Sequence, residues 1–184
     1  MSMLRSIFTA PPSLVLAGVN KWSTLNRVHR GSELPEQEAK GRVYARNLEV
    51  PAGSGVGTAR ALARAYSEVT IGGGRLGLPR ETLELLMAPP VPPAHGFRDE
   101  CLKVEFRLSL GFAKPGPNHP FGHPSSFGAP GLGGSFAFAD PHAQTGFAYV
   151  TNQMGTHFPD PRAEALRRAM YGSIGQPDPY NGQS

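Results

Sequence analysis

Apolar and polar positions divide this chain into short elements separated by glycine and proline. Leu102, Val104, Phe106, Leu108 and Leu110 alternate with Lys103, Glu105, Arg107 and Ser109. That period of two predicts a strand over 102–112 with one buried and one wet face. It equally fits an edge strand whose polar side is covered by material outside the chain. Further on, Phe136 and Phe138 alternate with Ala137 and Ala139, and Phe147 and Tyr149 with Ala148 and Val150. Both faces of these two strands are apolar, which places them between helical layers. Asp140-Pro141 and Gly146 supply their connection.

Helical spacing appears three times. Thr58 caps a helix with Ala59, Leu62, Ala63, Tyr66 and Val69 on one side, ended by Gly72-Gly73-Gly74. Pro79 opens a second with Leu83, Leu85, Leu86 and Met87, and Pro89-Pro90 stop it, leaving Val91-Pro92-Pro93 extended. Arg162 to Tyr171 forms a third, offering Ala165, Leu166, Ala169 and Met170 on one side, with Arg167 and Arg168 suiting the dipole near its end. Lys114 to Pro130 is a long Pro/Gly/His loop. The expected fold is α/β (α+β): an antiparallel sheet of three or more strands flanked by helices. Residues 1–47 read as an irregular or helical N-terminal region, 48–172 as the folded unit, and 173–184 as a disordered tail.

Composition narrows the function classes. The 184 residues hold 39% hydrophobic and only 17% charged positions, with Gly 23 and Pro 19, so much of the chain is turn. The formal charge of +4 is scattered, without the basic face and stacking aromatics of a nucleic-acid binder. No apolar run reaches membrane-spanning length. The single Cys101 excludes an internal disulfide and fits a reducing compartment, and its neighbour Glu100 argues against a reactive thiolate. A cytoplasmic location is expected. The acid-free, basic first 32 residues are the one hint of mitochondrial targeting, and Pro11-Pro12 breaks any amphipathic helix there.

Candidate chemistry centres on Ala129, Pro130, Gly131, Leu132, Gly133 and Gly134, a bare main chain that another molecule or segment could approach closely. Gly53-x-Gly55-x-Gly57 lacks the Walker lysine and reads as a turn into a helix. His119 and His123 are four apart, but Pro120 and Pro124 forbid the helix that would pair them on a metal; they read as loop histidines. His123 lies six residues before Ala129, on the loop that approaches the glycine-rich stretch. Ser135 is not in a nucleophile elbow, being followed by Phe136-Ala137. No metal or cofactor is expected.

Five linked blocks resemble the serine beta-lactamase-related family, which includes penicillin-binding-protein-like hydrolases and class C-like esterases. They are Gly55 to Tyr66 (GVGTARALARAY), Ala129-Pro130-Gly131, Gly133 to Pro141 (GGSFAFADP), Gly146 to Met154 (GFAYVTNQM), and Asp160-Pro161-Arg162 with Leu166, Arg167 and Tyr171. The resemblance runs from about Leu48 to Tyr171 and implies the C-terminal part of a beta-lactamase/transpeptidase-like fold. Ala129-Pro130-Gly131 stands where that family has Lys-Thr-Gly or His-x-Gly. By resemblance, the Leu132 amide forms half of an oxyanion hole. The family's Ser-x-x-Lys is missing: Gly18, Gln37, Glu100 and Gly111 stand three before the lysines at 21, 40, 103 and 114. Its Tyr-x-Asn or Ser-x-Asn is missing too. No catalytic residue is therefore assigned. The simplest reading is a C-terminal half without its nucleophile half, inactive alone. A small acyl substrate is implied if an N-terminal half completes it. The alternative is a pseudoenzyme or interaction module, with a homo-oligomer or a partner covering the exposed sheet.

Overall fold

The computed structural model describes Leu16 and residues 19–23, 56–101, 103–131, 133–155, 157 and 159–180. The region 1–47 therefore lies almost wholly outside the described residues, as do Leu102 and Leu132.

Among the described residues from 56 onward, three α-helices and five strands follow in order: α1 (Ala59–Thr70), α2 (Arg80–Met87), β1 (Leu108–Ser109), β2 (Phe112–Ala113), β3 (Phe127–Pro130), β4 (Phe136–Asp140), β5 (Thr145–Tyr149) and α3 (Pro161–Ser173). The strands form one antiparallel sheet in the order β1-β2-β3-β4-β5. Local chemistry explains the helix ends. Thr58 Oγ1 accepts the Ala61 amide at 3.2 Å at the start of α1, and Gly73, with φ +66, donates to Glu68 O at 2.7 Å beyond its end. Pro79 precedes α2, and Asp160 caps α3, accepting from the Arg162 amide at 2.9 Å.

β4 is buried along its whole length, as its two-sided apolar pattern requires. Its phenylalanine face packs with Ala113, Phe121 and Tyr171, and with Phe147 and Met170 beside them. Ala139 on the opposite face belongs with Phe127, Val69 and Leu83, and with Tyr66 from α1. α1 comes close because its path crosses Gly146, where a Cβ would lie 2.5 Å from Ser67 Oγ. The sheet is thus held between α1 and α2 on one side and α3 with the 114–126 loop on the other.

The strand expected over 102–112 is instead two short turns of chain. Residues 97–99 fold back on 104–106, with Phe106 N donating to Phe97 O at 2.9 Å and Asp99 N to Val104 O at 2.8 Å. Leu110 (φ +50) and Gly111 (φ +82) then form the tight connection of the β1–β2 hairpin. Positive φ at both central positions is the hairpin geometry that matches strand twist, and Gly111 makes it accessible. Leu108 and Leu110 are consequently exposed, at 51% and 61%, rather than buried.

The third helix is also rotated relative to expectation. Ala163, Arg167 and Tyr171 are its buried residues, while Leu166 is 47% exposed. Polar anchors override the apolar stripe. The Tyr171 hydroxyl donates to Asp140, and Arg167 is 1% exposed, bonding Asp178 Oδ1 at 2.6 Å and Glu164 Oε2 at 2.8 Å. The pair to Asp178 also carries packing past Gly172, where the sequence reading ends the fold, and Tyr180 N donates to Asp178 Oδ1 at 3.1 Å.

His119 belongs to the core. It is 5% exposed, with its ring 5.0 Å from both Phe121 and Phe136. Burial, aided by the Arg167 charge, pushes its pKa from 6.5 down to about 4. The unfolded chain therefore binds a proton that the folded chain refuses between those values, so stability falls as pH drops through that window, by roughly 3 kcal/mol in all. Urea midpoints taken from pH 7 to pH 4 are expected to show this loss, and His119→Leu is expected to flatten it.

Candidate functional site

The glycine-rich turn is stitched at both ends. Gly131 N donates to Ser135 O at 2.6 Å, and Gly134 N donates back to Gly131 O at 3.2 Å, closing a four-residue turn. Gly133 has φ +84, in the left-handed region that glycine enters without steric cost. Gly133 O faces the following segment and accepts from Gly155 N at 2.7 Å.

α3 begins directly behind this turn. The Asp160 carboxylate is 2% exposed and receives two parallel bonds from Arg162, Nε to Oδ1 at 2.9 Å and Nη2 to Oδ2 at 2.8 Å. Those bonds hold its pKa below the usual carboxylate range. Arg162 continues outward, with Nη1 donating to Gln153 O at 3.0 Å and Nη2 to Gly133 O at 3.3 Å. One guanidinium so joins the helix cap, the turn and the 153–155 segment. A Cβ on Gly134 would lie 2.6 Å from Asp160 Cγ, and one on Gly133 2.8 Å from Met154 Cγ. Two of the bare positions thus receive segments of the same chain.

Of the sequence-predicted residues, Ala129 and Pro130 end β3, paired with Ala137 and Phe136. Ala129 is exposed although its strand lies in the middle of the sheet, so the sheet face is uncovered at that point. Gly131, Gly133 and Gly134 form the turn with it, and Leu132 lies outside the described residues. A shallow hollow lined by Pro130, Gly131, Gly134, Ser135, His119 and Asp160 adjoins them. Ser135 serves the strand, its Oγ accepting the Thr151 amide at 3.3 Å.

His123, which the sequence places on the approach to the triplet, does not compensate for its absent Lys or His, and Lys114 is turned elsewhere as well. His123 is at the other end of β3–β4, its Nδ1 2.8 Å from Asp140 Oδ2 and its ring stacked on His142 at 3.9 Å. Lys114 is 1% exposed and donates to Leu86 O at 2.8 Å, near the Phe127 ring rather than Ala129. Burial pushes it from 10.5 down to about 8. Among the described residues no group of three or more His, Cys, Asp and Glu could hold a metal, and no helix is long and apolar enough to cross a membrane.

Two anchors go beyond the sequence reading. Asp140, at the far end of β4 from the glycine turn, is more than a turn residue: it is 0% exposed and accepts from Tyr171, His123 and the amides of His142 and Ala143. Asp160 and Arg162 were noted only by resemblance. An Asp immediately before Pro at a helix start is a capping signal that was available in the sequence.

Comparison with known proteins agrees with this geometry. The esterase/beta-lactamase LipL of Mycobacterium tuberculosis (strain ATCC 25618 / H37Rv) is 35% identical over 109 residues, 59% of this chain and 24% of that protein. A novel penicillin-binding protein homologue from Caulobacter crescentus superposes with a TM-score of 0.66 at 32% identity, covering 80% of this chain and 40% of that one. A family VIII carboxylesterase gives 0.64 at 32% identity with the same coverage, 80% and 40%. The chain thus spans less than half the length of each. The beta-lactamase family model matches residues 11–171, and with the antiparallel sheet and glycine turn in place the chain belongs to the beta-lactamase family.

Proposed function

We propose that this chain supplies the main-chain wall of an esterase-type acyl-transfer site in a beta-lactamase-related serine hydrolase. The nucleophile comes from polypeptide outside these 184 residues, which contain no Ser-x-x-Lys, and the chain alone is inert. The observation that carries this reading is the turn closed by Gly134 N on Gly131 O. By resemblance to the family, the amide that follows Gly131 is the donor at this wall, two residues beyond Pro130 and close in the chain to the exposed Ala129. An amide in that role stabilises the developing oxyanion of a tetrahedral intermediate, an effect worth about 2.7–4 kcal/mol for one oriented donor. Its counterpart donor would be the nucleophile's own N–H. The acyl group of a small ester would then lie along Ala129 to Gly134.

A p-nitrophenyl acyl ester gives the test. The chain alone is expected to release no burst of nitrophenol. Adding a polypeptide that carries a family Ser-x-x-Lys segment is expected to restore turnover and a serine adduct on the added partner. Turnover by the chain alone, with an adduct on one of its own serines, overturns the reading.

A non-catalytic interaction role is favoured by different residues. Leu108 and Leu110 at the β1–β2 hairpin and Leu166 on α3 are exposed, and apolar surface left open favours association. A complex that forms stably but never hydrolyses the ester distinguishes that role from the first.

A further inference from the structure

We propose that Arg162, oriented by Asp160, is a positioning residue for the acyl site: it clamps the glycine turn through Gly133 O and so holds the main chain of that turn in one conformation. The inference rests on the acyl-transfer reading above for its functional half, and on geometry alone for its structural half.

Four observations converge on the clamp. The turn is rich in glycine and would sample many conformations if left alone. Its own closure is the bond from Gly131 N to Ser135 O at 2.6 Å and the longer one from Gly134 N to Gly131 O at 3.2 Å, and neither reaches the Gly133 carbonyl. Gly133 O is then held from two directions, by Gly155 N at 2.7 Å and by Arg162 Nη2 at 3.3 Å. Arg162 cannot swing away cheaply, because two further bonds fasten it to Asp160 and a third to Gln153 O. Asp160 is in turn fixed as the N-cap of α3. The carboxylate is buried and the guanidinium partly exposed, so the pair combines a rigid base with an arm that reaches the site. A planar fork of donors is needed to hold the carboxylate and two carbonyls together; a lysine ammonium lacks that geometry.

The consequence for catalysis is orientation. An oxyanion donor acts only when it is already aimed at where charge develops, and small misplacements cost large factors in rate. Arg162 touches no reacting atom in this arrangement. It acts through the main chain of the turn.

The test uses the full chain with Arg162→Met and Arg162→Lys. Amide exchange at Gly134 and Gly155 reports the clamp directly. Arg162→Met is expected to speed exchange at both by about tenfold or more beyond any change at the β4–β5 amides, and Arg162→Lys is expected to restore part of the protection. In the complex reconstituted with a Ser-x-x-Lys partner, Arg162→Met is expected to lower kcat by about 10- to 100-fold at nearly constant KM. Unchanged exchange, or exchange rising evenly across the sheet with a lower midpoint, overturns the clamp. Faster local exchange with unaltered kcat overturns its functional half. If wild-type complexes never hydrolyse ester, the acyl-transfer reading and that functional half fall together, while the exchange pattern still decides the clamp.

Discussion

Replacing Asp140 by Ala is expected to cost about 3–5 kcal/mol of stability, among the largest losses available from one side chain here. Asp140 is fully buried at the end of β4 and is where three parts of the fold meet. Its Oδ2 receives the Tyr171 hydroxyl from α3, and from the loop before β3 the His123 amide at 3.2 Å and ring at 2.8 Å. Its Oδ1 holds the β4–β5 connection through the amides of His142 and Ala143, at 3.1 and 3.2 Å. Truncation strands these donors without water to replace the carboxylate, and each stranded donor costs about 1–3 kcal/mol. Asp140→Asn keeps the shape but turns an NH2 group toward donors, so a smaller loss is expected, near 2 kcal/mol. Burial alone would raise the Asp140 pKa; the bonds from Tyr171 and His123 more than offset it and leave it below 3.8. The folded value is thus depressed, so the carboxylate's contribution is complete above the unfolded pKa and is lost as pH falls through the folded one. Denaturant midpoints of wild type and Asp140→Asn are expected to converge below about pH 4. Equal midpoints at pH 7 would contradict the account.

The elements of this fold were legible where one kind of residue decided the outcome. Phe136 to Asp140 could be read as buried on both sides because alternation without a polar face permits little else. Thr58, Pro79 and the Gly72–Gly74 run marked helix ends through local backbone chemistry that tertiary packing did not disturb. The reading failed where long-range polar contacts competed with an apolar pattern. Ala165, Leu166 and Ala169 look like the inner face of α3, but burying Arg167 against Glu164 and Asp178 rotates them outward. Nothing within the helix sequence announces that Asp178 will fold back to meet it. Leu108 and Leu110 failed for another reason. Alternation says which side chains share a face, not whether the chain stays straight, and Leu110-Gly111 turns it. The candidate site was legible as a stretch of bare main chain, and its supports were not, because a glycine does not state what will approach it.

That last ambiguity yields the second large effect. Gly134→Ala is expected to cost roughly 3 kcal/mol, from two sources that act together. At φ +103 an alanine is strained by about 1–2 kcal/mol. Its Cβ would also sit 2.6 Å from Asp160 Cγ, inside van der Waals contact with a carboxylate that cannot retreat without releasing the α3 cap or Arg162. Gly172→Ala is the control: it lies in α3 with nothing within 4 Å of the added methyl, and a gain of up to about 1 kcal/mol is expected. Thermal midpoints therefore should move in opposite directions for the same chemical change. If Gly134 were bare only to admit a substrate, alanine there would relieve backbone entropy and strike no part of the folded chain, so its cost would not exceed the strain alone. A loss well beyond that strain, accompanied by faster exchange at Gly155, identifies Asp160 as the group that the missing Cβ makes room for. The turn is then rigid before any ligand arrives, which is the condition under which a main-chain amide can act as a preorganised donor.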